Sequence, residues 1–202
     1  MRDTPGIGHN KGPEPGAGWR RHCWRKARAE LLGPTMPIEI VRRRVRRARQ
    51  LGLSYPEYAS ILLGTGRDVT AFLFTVEGLY LRLTRELEMP GRVREAVQRI
   101  DRCALTGFSP SGEVPEAFRV ELITAAGCPI ASVAPEPEPP VGWAEARRAI
   151  RATLDPLRLP GNSVVMIGSR EVEADWARAA NMARFLPRER FFAQNAEVAA
   201  NG

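Results

Sequence analysis

Apolar positions along residues 68–192 change period repeatedly. "VTAFLFT" (Val69–Thr75) is a near-continuous apolar run rich in β-branched and aromatic residues, which predicts a buried strand. "FRVELITAAG" (Phe118–Gly127) alternates Phe118, Val120 and Leu122 before Ile123, which predicts a second strand. "NSVVMIG" (Asn162–Gly168) predicts a third. Between and after them the apolar residues recur every three or four positions, as one face of a helix requires. Val93, Ala96, Val97 and Ile100 form such a face in "GRVREAVQRID", entered through Pro90. Ala146, Ile150 and Leu154 form another in Trp143–Leu154, and Glu171–Leu186 reads as a third helix. The segment "PEPEPPVG" (Pro135–Gly142) predicts a surface loop, because proline cannot donate to a central ladder. Strands alternating with helices imply crossover connections, hence a three-layer α/β fold with a parallel sheet between helices.

The preceding residues differ. Residues 1–18 are rich in Gly and Pro without apolar periodicity, and are expected to form a disordered tail. Residues 19–66 form an Arg-rich helical extension. In it, Trp24, Ala27 and Leu31 share one face of a short basic helix. A second helix opens after "GPT", with Thr35 as cap and Pro37 in its first turn. Ile38, Val41, Val45 and Ala48 make its apolar stripe, and arginines fill the rest. "LGLSYPEYASILLGTG" (Leu51–Gly66) continues as helix and turn. A helix-turn-helix fits it poorly, because Ala59 is followed four residues later by Leu63, with Gly64 one position late. The α/β domain itself is expected over 68–192, and 193–202 as a flexible tail.

Charge adds one reading. The net charge is +7, and lysine stands only at Lys11 and Lys26, so 28 of the 30 basic residues are arginine. Arg42, Arg43, Arg46 and Arg47, with the basic segment Arg20–Arg28, are candidates for contacting nucleic acid or an acidic partner. The same skew toward arginine also arises from a GC-rich genome, in which case these residues simply face solvent. No run of about 18 apolar residues is present, so no membrane partner is expected. The first residues lack the apolar core of a secretory signal, so the expected location is the cytoplasm. Cys23, Cys103 and Cys128 lack metal-ligand spacing, and His9 stands alone in "GIGHNKGP", a piece similar to N-termini of assorted bacterial proteins.

In an open parallel sheet, functional groups gather beyond the carboxyl ends of the strands. The expected ends are Thr75-Val76-Glu77-Gly78, Thr124 and Gly168-Ser169, each with a polar residue at or near a glycine. Together they resemble the haloacid dehalogenase (HAD) superfamily of phosphohydrolases. "AFLFTVEGLYL" is similar to that family's first strand and Asp-x-Asp-Gly motif, with Thr75 at the first acid and Glu77 at the second. "VELIT" resembles the second motif and would give Thr124 a phosphate-binding role. "VVMIGSREVEADWARAANM" resembles the fourth, with Gly168 retained, Ser169 in place of an Asp and Glu173 keeping the later acid. "ARFLPRERFF" resembles the end of minimally capped members, and the likeness covers about residues 68–192.

The resemblance implies phosphate chemistry and also its loss. The family's first Asp is the nucleophile and the second its acid and base; a carboxylate forms an acyl-phosphate that water readily hydrolyses. Thr75 is a neutral alcohol without an evident base. Glu77 would be the surviving acid and base. Mg²⁺, if bound, would be held by Glu77 and Glu173, with Asp175 a further candidate. The family's Lys has no counterpart, and Arg147, Arg148 or Arg151 would have to replace it. The expectation is therefore a catalytically degenerate HAD-like domain that binds or regulates. Its partner would be a protein or a phosphate-bearing ligand, with Thr75, Thr124, Gly168 and Ser169 lining a residual anion pocket and no cofactor needed. The alternatives are a Mg²⁺-dependent phosphohydrolase with altered motifs and a nucleic-acid-binding protein.

Overall fold

A computed structural model describes residues 36–83, 87–138 and 141–200. The chain falls into two units, residues 1–41 and 42–202. In the first, Pro37 accepts from the N–H groups of Ile40 and Val41, at 2.9 and 3.2 Å, which starts helix α1 (Ile38–Gln50). The tail expected over 1–18 and the basic helix over 19–32 lie outside the described residues.

The second unit is α/β with a five-stranded, all-parallel sheet. Its strands are β1 (Ala71–Phe74), β4 (Ala104–Ser109), β5 (Ser132–Pro135), β6 (Val164–Gly168) and β7 (Arg184–Pro187), in the order β5-β4-β1-β6-β7. A short antiparallel pair, β2 (Arg82–Leu83) and β3 (Leu87–Glu88), follows β1. The remaining helices are α2 (Tyr55–Thr65), α3 (Gly91–Gln98), α4 (Pro115–Ala126), α5 (Trp143–Leu154), α6 (Glu171–Ala179) and α7 (Arg188–Ala200).

Strand alternation sorts the core into two layers. Phe72, Phe74, Val165 and Ile167 point to the face covered by α2, α3, α4 and α7, where Phe191 packs 5.4 Å from Phe72 and 6.1 Å from Phe74. Ala71, Leu73, Val164 and Met166 point to the other face, against Ala146, Ile150 and Leu154 of α5 and Trp176 of α6. Helices therefore cover both faces, as the three-layer expectation required.

Three segments depart from the sequence reading. The stretch expected as a second strand, Phe118–Gly127, lies almost wholly within α4. Pro115 occupies its first turn and Gly127 ends it at φ 66°, while Phe118, Leu122, Ala125 and Ala126 make a helical stripe. The strand in that place is β4, "ALTGFS", whose Thr, Gly and Ser dilute the apolar signal although five of its six residues are buried. β5 ends inside the Pro-rich segment, on a sheet edge where Pro135 needs no further partner. The third helix stops at Ala179, Asn181 takes φ 53°, and Arg184–Leu186 leaves the helix to pair with β6.

The helical extension does not end where the α/β domain begins. From Arg42 onward it belongs to the same unit as the sheet, and Ala48, Leu51, Leu53, Tyr58 and Ile61 join the core. Most of the tail expected over 193–202 continues α7 to Ala200. Two ionic ties fix the helices. Glu57, 1% exposed, pairs with Arg184 at 3.0 Å and with Arg190. Arg47 bonds Asp68 at 2.9 Å and the carbonyls of Val69, Asp101 and Arg102 at 2.8, 3.3 and 3.2 Å. A Leu in place of Arg47 leaves those acceptors unpaired, and urea denaturation should find Arg47→Leu less stable by about 1–3 kcal/mol.

Candidate functional site

The chain runs outward from β1 to β4 and β5, then returns to the other side of β1 for β6 and β7. The two directions meet between the carboxyl ends of β1 and β6, the place where open parallel sheets bind ligands. Thr75 ends β1 there, fully buried, its N–H donating to the Ile167 carbonyl at 3.0 Å. Its hydroxyl oxygen accepts from the Gly78 N–H at 2.9 Å, inside a tight turn. Gly78 is required by that turn: a Cβ would lie 2.4 Å from the Ile167 carbonyl oxygen. Glu77, half-exposed, is carried out of the turn and accepts from the Ser169 hydroxyl at 2.6 Å.

Across the crevice, Glu173 is fully buried and caps α6 from its third position. Its Oε2 accepts from the N–H groups of Ser169 and Arg170 at 2.6 and 2.9 Å, and its Oε1 accepts from the Arg170 Nε at 2.9 Å. Gly168 makes room for this carboxylate, since a Cβ there would lie 2.1 Å from Glu173 Oε2. Arg170 also pairs with Glu136, just beyond β5, and lies 3.9 Å from Glu77. Its guanidinium carbon stands 5.3 Å from the Trp176 ring centre. Three carboxylates, from three different strand ends, thus converge on one guanidinium.

Electrostatics follow the geometry. Burial alone would lower the Arg170 pKa, but the hydrogen bond to Glu173 and the charges of Glu136, Glu173 and Glu77 raise it, so it stays a cation. Burial raises the Glu136 pKa, opposed by Arg170. Beside Arg170 opens a cleft of about 250 Å³, lined by Val76, Glu77, Pro110, Ser111, Glu136 and Glu138 among others.

Of the residues singled out in the sequence, Thr75, Glu77, Gly168, Ser169 and Glu173 come together. Thr124 does not. It lies on α4, a crossover helix running back toward the amino ends of the strands, and its hydroxyl donates to the Val120 carbonyl at 3.1 Å. The strand end beside Thr75 belongs instead to Ser109, buried in β4. Asp175 pairs with Arg178. Arg147, Arg148 and Arg151 line a separate cleft on α5. Their expected role as the local cation falls to Arg170, which the sequence reading passed over. Its signal was an Arg three residues before the acid of a helix start. Burial pushes the Cys103 thiol up to about 12, which leaves it a poor nucleophile.

The donor set does not fit Mg²⁺. Both oxygens of Glu173 are engaged, and the Arg170 guanidinium stands where the carboxylates converge, so a second cation would meet a positive charge. Among the described residues no group of three His, Cys, Asp or Glu side chains is placed to hold a metal. Nor is any helix among them long and apolar enough to cross a membrane. No protein-family model, curated protein or solved structure matches this chain.

Glu173→Ala strands two N–H groups and removes a partner of Arg170. Arg170 keeps Glu136 and some solvent, so the expected loss is about 3 kcal/mol in urea denaturation. Glu136 binds its proton more tightly in the folded than in the unfolded chain. Its contribution to stability is therefore greatest while protonated and declines as pH rises from the ordinary glutamate value through the raised one. A carboxyl NMR titration should place Glu136 above the ordinary glutamate range, and higher still in Arg170→Met, which loses the opposing charge.

Proposed function

We propose that the chain is a HAD-like domain without phosphoaspartate catalysis, acting as a binding or regulatory protein. Its parallel sheet, the Thr75-Val76-Glu77-Gly78 turn after β1 and the Gly168-Ser169 end of β6 support the resemblance drawn from the sequence. One observation carries the functional part: Arg170, paired with Glu173 and Glu136 within reach of Glu77, fills the crevice with the chain's own ion pairs.

This arrangement removes the parts that phosphoryl transfer needs. The Thr75 oxygen is buried in its turn and meets no base, so it is neither aimed at a substrate nor activated. The N–H groups at the start of α6 suit an anion, and the anion they hold is the Glu173 carboxylate. A phosphate would have to displace it. The remaining cleft carries Glu77, Glu136 and Glu138 against Arg170 alone, a balance that repels phosphomonoesters. The expected phosphate pocket is thus replaced by one in which carboxylates outnumber the single cation, better suited to a cationic group of a partner.

Incubation with p-nitrophenyl phosphate and Mg²⁺ should give no turnover above the blank, in the parent chain and in Glu77→Ala alike. Inorganic phosphate should leave the melting temperature unchanged. Parental turnover that disappears in Glu77→Ala would reinstate the phosphohydrolase reading.

A further inference from the structure

The amino ends of the strands carry a second, oppositely charged feature. Asp68 and Val69 lead into β1, Arg102 leads into β4, and α1 and α2 lie alongside them. Between these elements runs a groove of about 500 Å³ lined by Arg43, Arg44, Arg46 and Arg102, with Tyr58 and Asp68 in its wall. All of these residues lie in the unit that holds the sheet.

The five arginines bordering this region have two different fates, and the difference defines the site. Arg47 is 15% exposed and spends its donors on Asp68 and three backbone carbonyls. It builds the wall. The one acid there is spent too: Asp68 Oδ2 accepts from Arg47, and Oδ1 accepts from the Tyr58 hydroxyl and the Val69 N–H at 3.0 and 2.8 Å. Arg43, Arg44 and Arg46 have no carboxylate partner among the described residues. Arg102 takes a left-handed φ of 53°, 79% exposed, with only a loose 3.8 Å pair to Asp101. Side chains other than glycine adopt that backbone at a cost, and here it turns the Arg102 carbonyl to Arg47 while the side chain borders the groove.

We infer that this groove binds the phosphodiester backbone of a nucleic-acid strand, without reading its sequence. Four guanidiniums along one groove match a succession of phosphates, each able to present a bidentate fork. Among the described residues that line the groove no unpaired acid competes, and the one aromatic ring, Tyr58, is buried with its hydroxyl committed, so these residues offer no base stacking. A strand is favoured over an acidic peptide because the groove gathers guanidiniums from two elements, Arg43, Arg44 and Arg46 of α1 and Arg102 before β4, which suits a backbone charged at every residue. The site lies at the opposite end of the sheet from the Arg170 crevice, so its success or failure is independent of the function proposed there.

Fluorescence anisotropy with labelled 12-nucleotide DNA and RNA strands of mixed sequence tests it. Four phosphate contacts on a single strand predict an affinity that falls about 50-fold between 50 and 200 mM salt. Arg43→Gln/Arg46→Gln/Arg102→Gln should weaken binding by about 100-fold at 50 mM salt and lower the salt slope by about 2. The single variants Arg43→Gln and Arg46→Gln, which break no ion pair among the described residues, should each lose several-fold. Arg147→Gln/Arg148→Gln/Arg151→Gln removes the same charge from α5 and should bind as the parent does. Absence of binding at 50 mM salt, or equal loss in the α5 variant, overturns the assignment. Displacement of the strand by poly-glutamate at equal charge concentration would overturn it in favour of an acidic protein partner.

Discussion

A guanidinium taken out of water loses several kcal/mol of hydration, and the structure around it must supply carboxylates and hydrogen bonds in return. Arg170 meets that condition at the point where the sheet reverses direction. Glu173 anchors it, Glu136 pairs with it from beyond β5, and Glu77 approaches from the turn after β1. The Ser169 and Arg170 N–H groups close the same network onto Glu173. The carboxyl ends of β1, β5 and β6 are therefore held together by one cation. A metal ion bridging carboxylates would play a comparable part, but an arginine is covalently fixed and cannot be exchanged with solvent. The centre is therefore a permanent one.

The same arrangement explains why Thr75 is compatible with the fold. With three carboxylates already around the single Arg170 cation, an acid at position 75 would add a fourth negative charge, in a position with no access to water. A threonine satisfies the same turn by accepting from Gly78, with no charge to bury. The neutral alcohol is thus consistent with the internal ion pairs, and the close approach of Gly78 to Ile167 follows from the same tight turn.

Much of this was legible in the sequence where the pattern was long or strongly apolar. β1 and β6 are continuous hydrophobic runs, and α3 and α5 show clear helical stripes. What failed was the choice between periods in short segments. Phe118, Val120, Leu122 and Ile123 satisfy an alternating pattern nearly as well as a helical one, and only Pro115 and Gly127 at the ends mark the helix. β4 carries Thr106, Gly107 and Ser109, so its burial arises from its central place in the sheet rather than from its composition. Displacing the second strand moved one predicted site residue, Thr124, to the wrong end of the sheet. Arg170 was missed for a different reason: its role depends on Glu136, 34 positions away, and no local motif reports a pairing at that range.

The same dependence on three-dimensional partners divides the arginines of α1. In sequence, Arg43, Arg46 and Arg47 are equivalent members of one basic run. In the fold, the helix turns Arg47 toward Asp68 and the carbonyls that precede β1 and β4, where it acts as a structural brace. Arg43 and Arg46 fall on the open side. At the carboxyl ends, three carboxylates surround the one cation, Arg170; at the amino ends, Arg43, Arg44 and Arg46 have no carboxylate partner among the described residues. The two ends of one sheet thus differ in what they ask of a partner, and the amino end, where arginines line an open groove, is the one that asks for an anion.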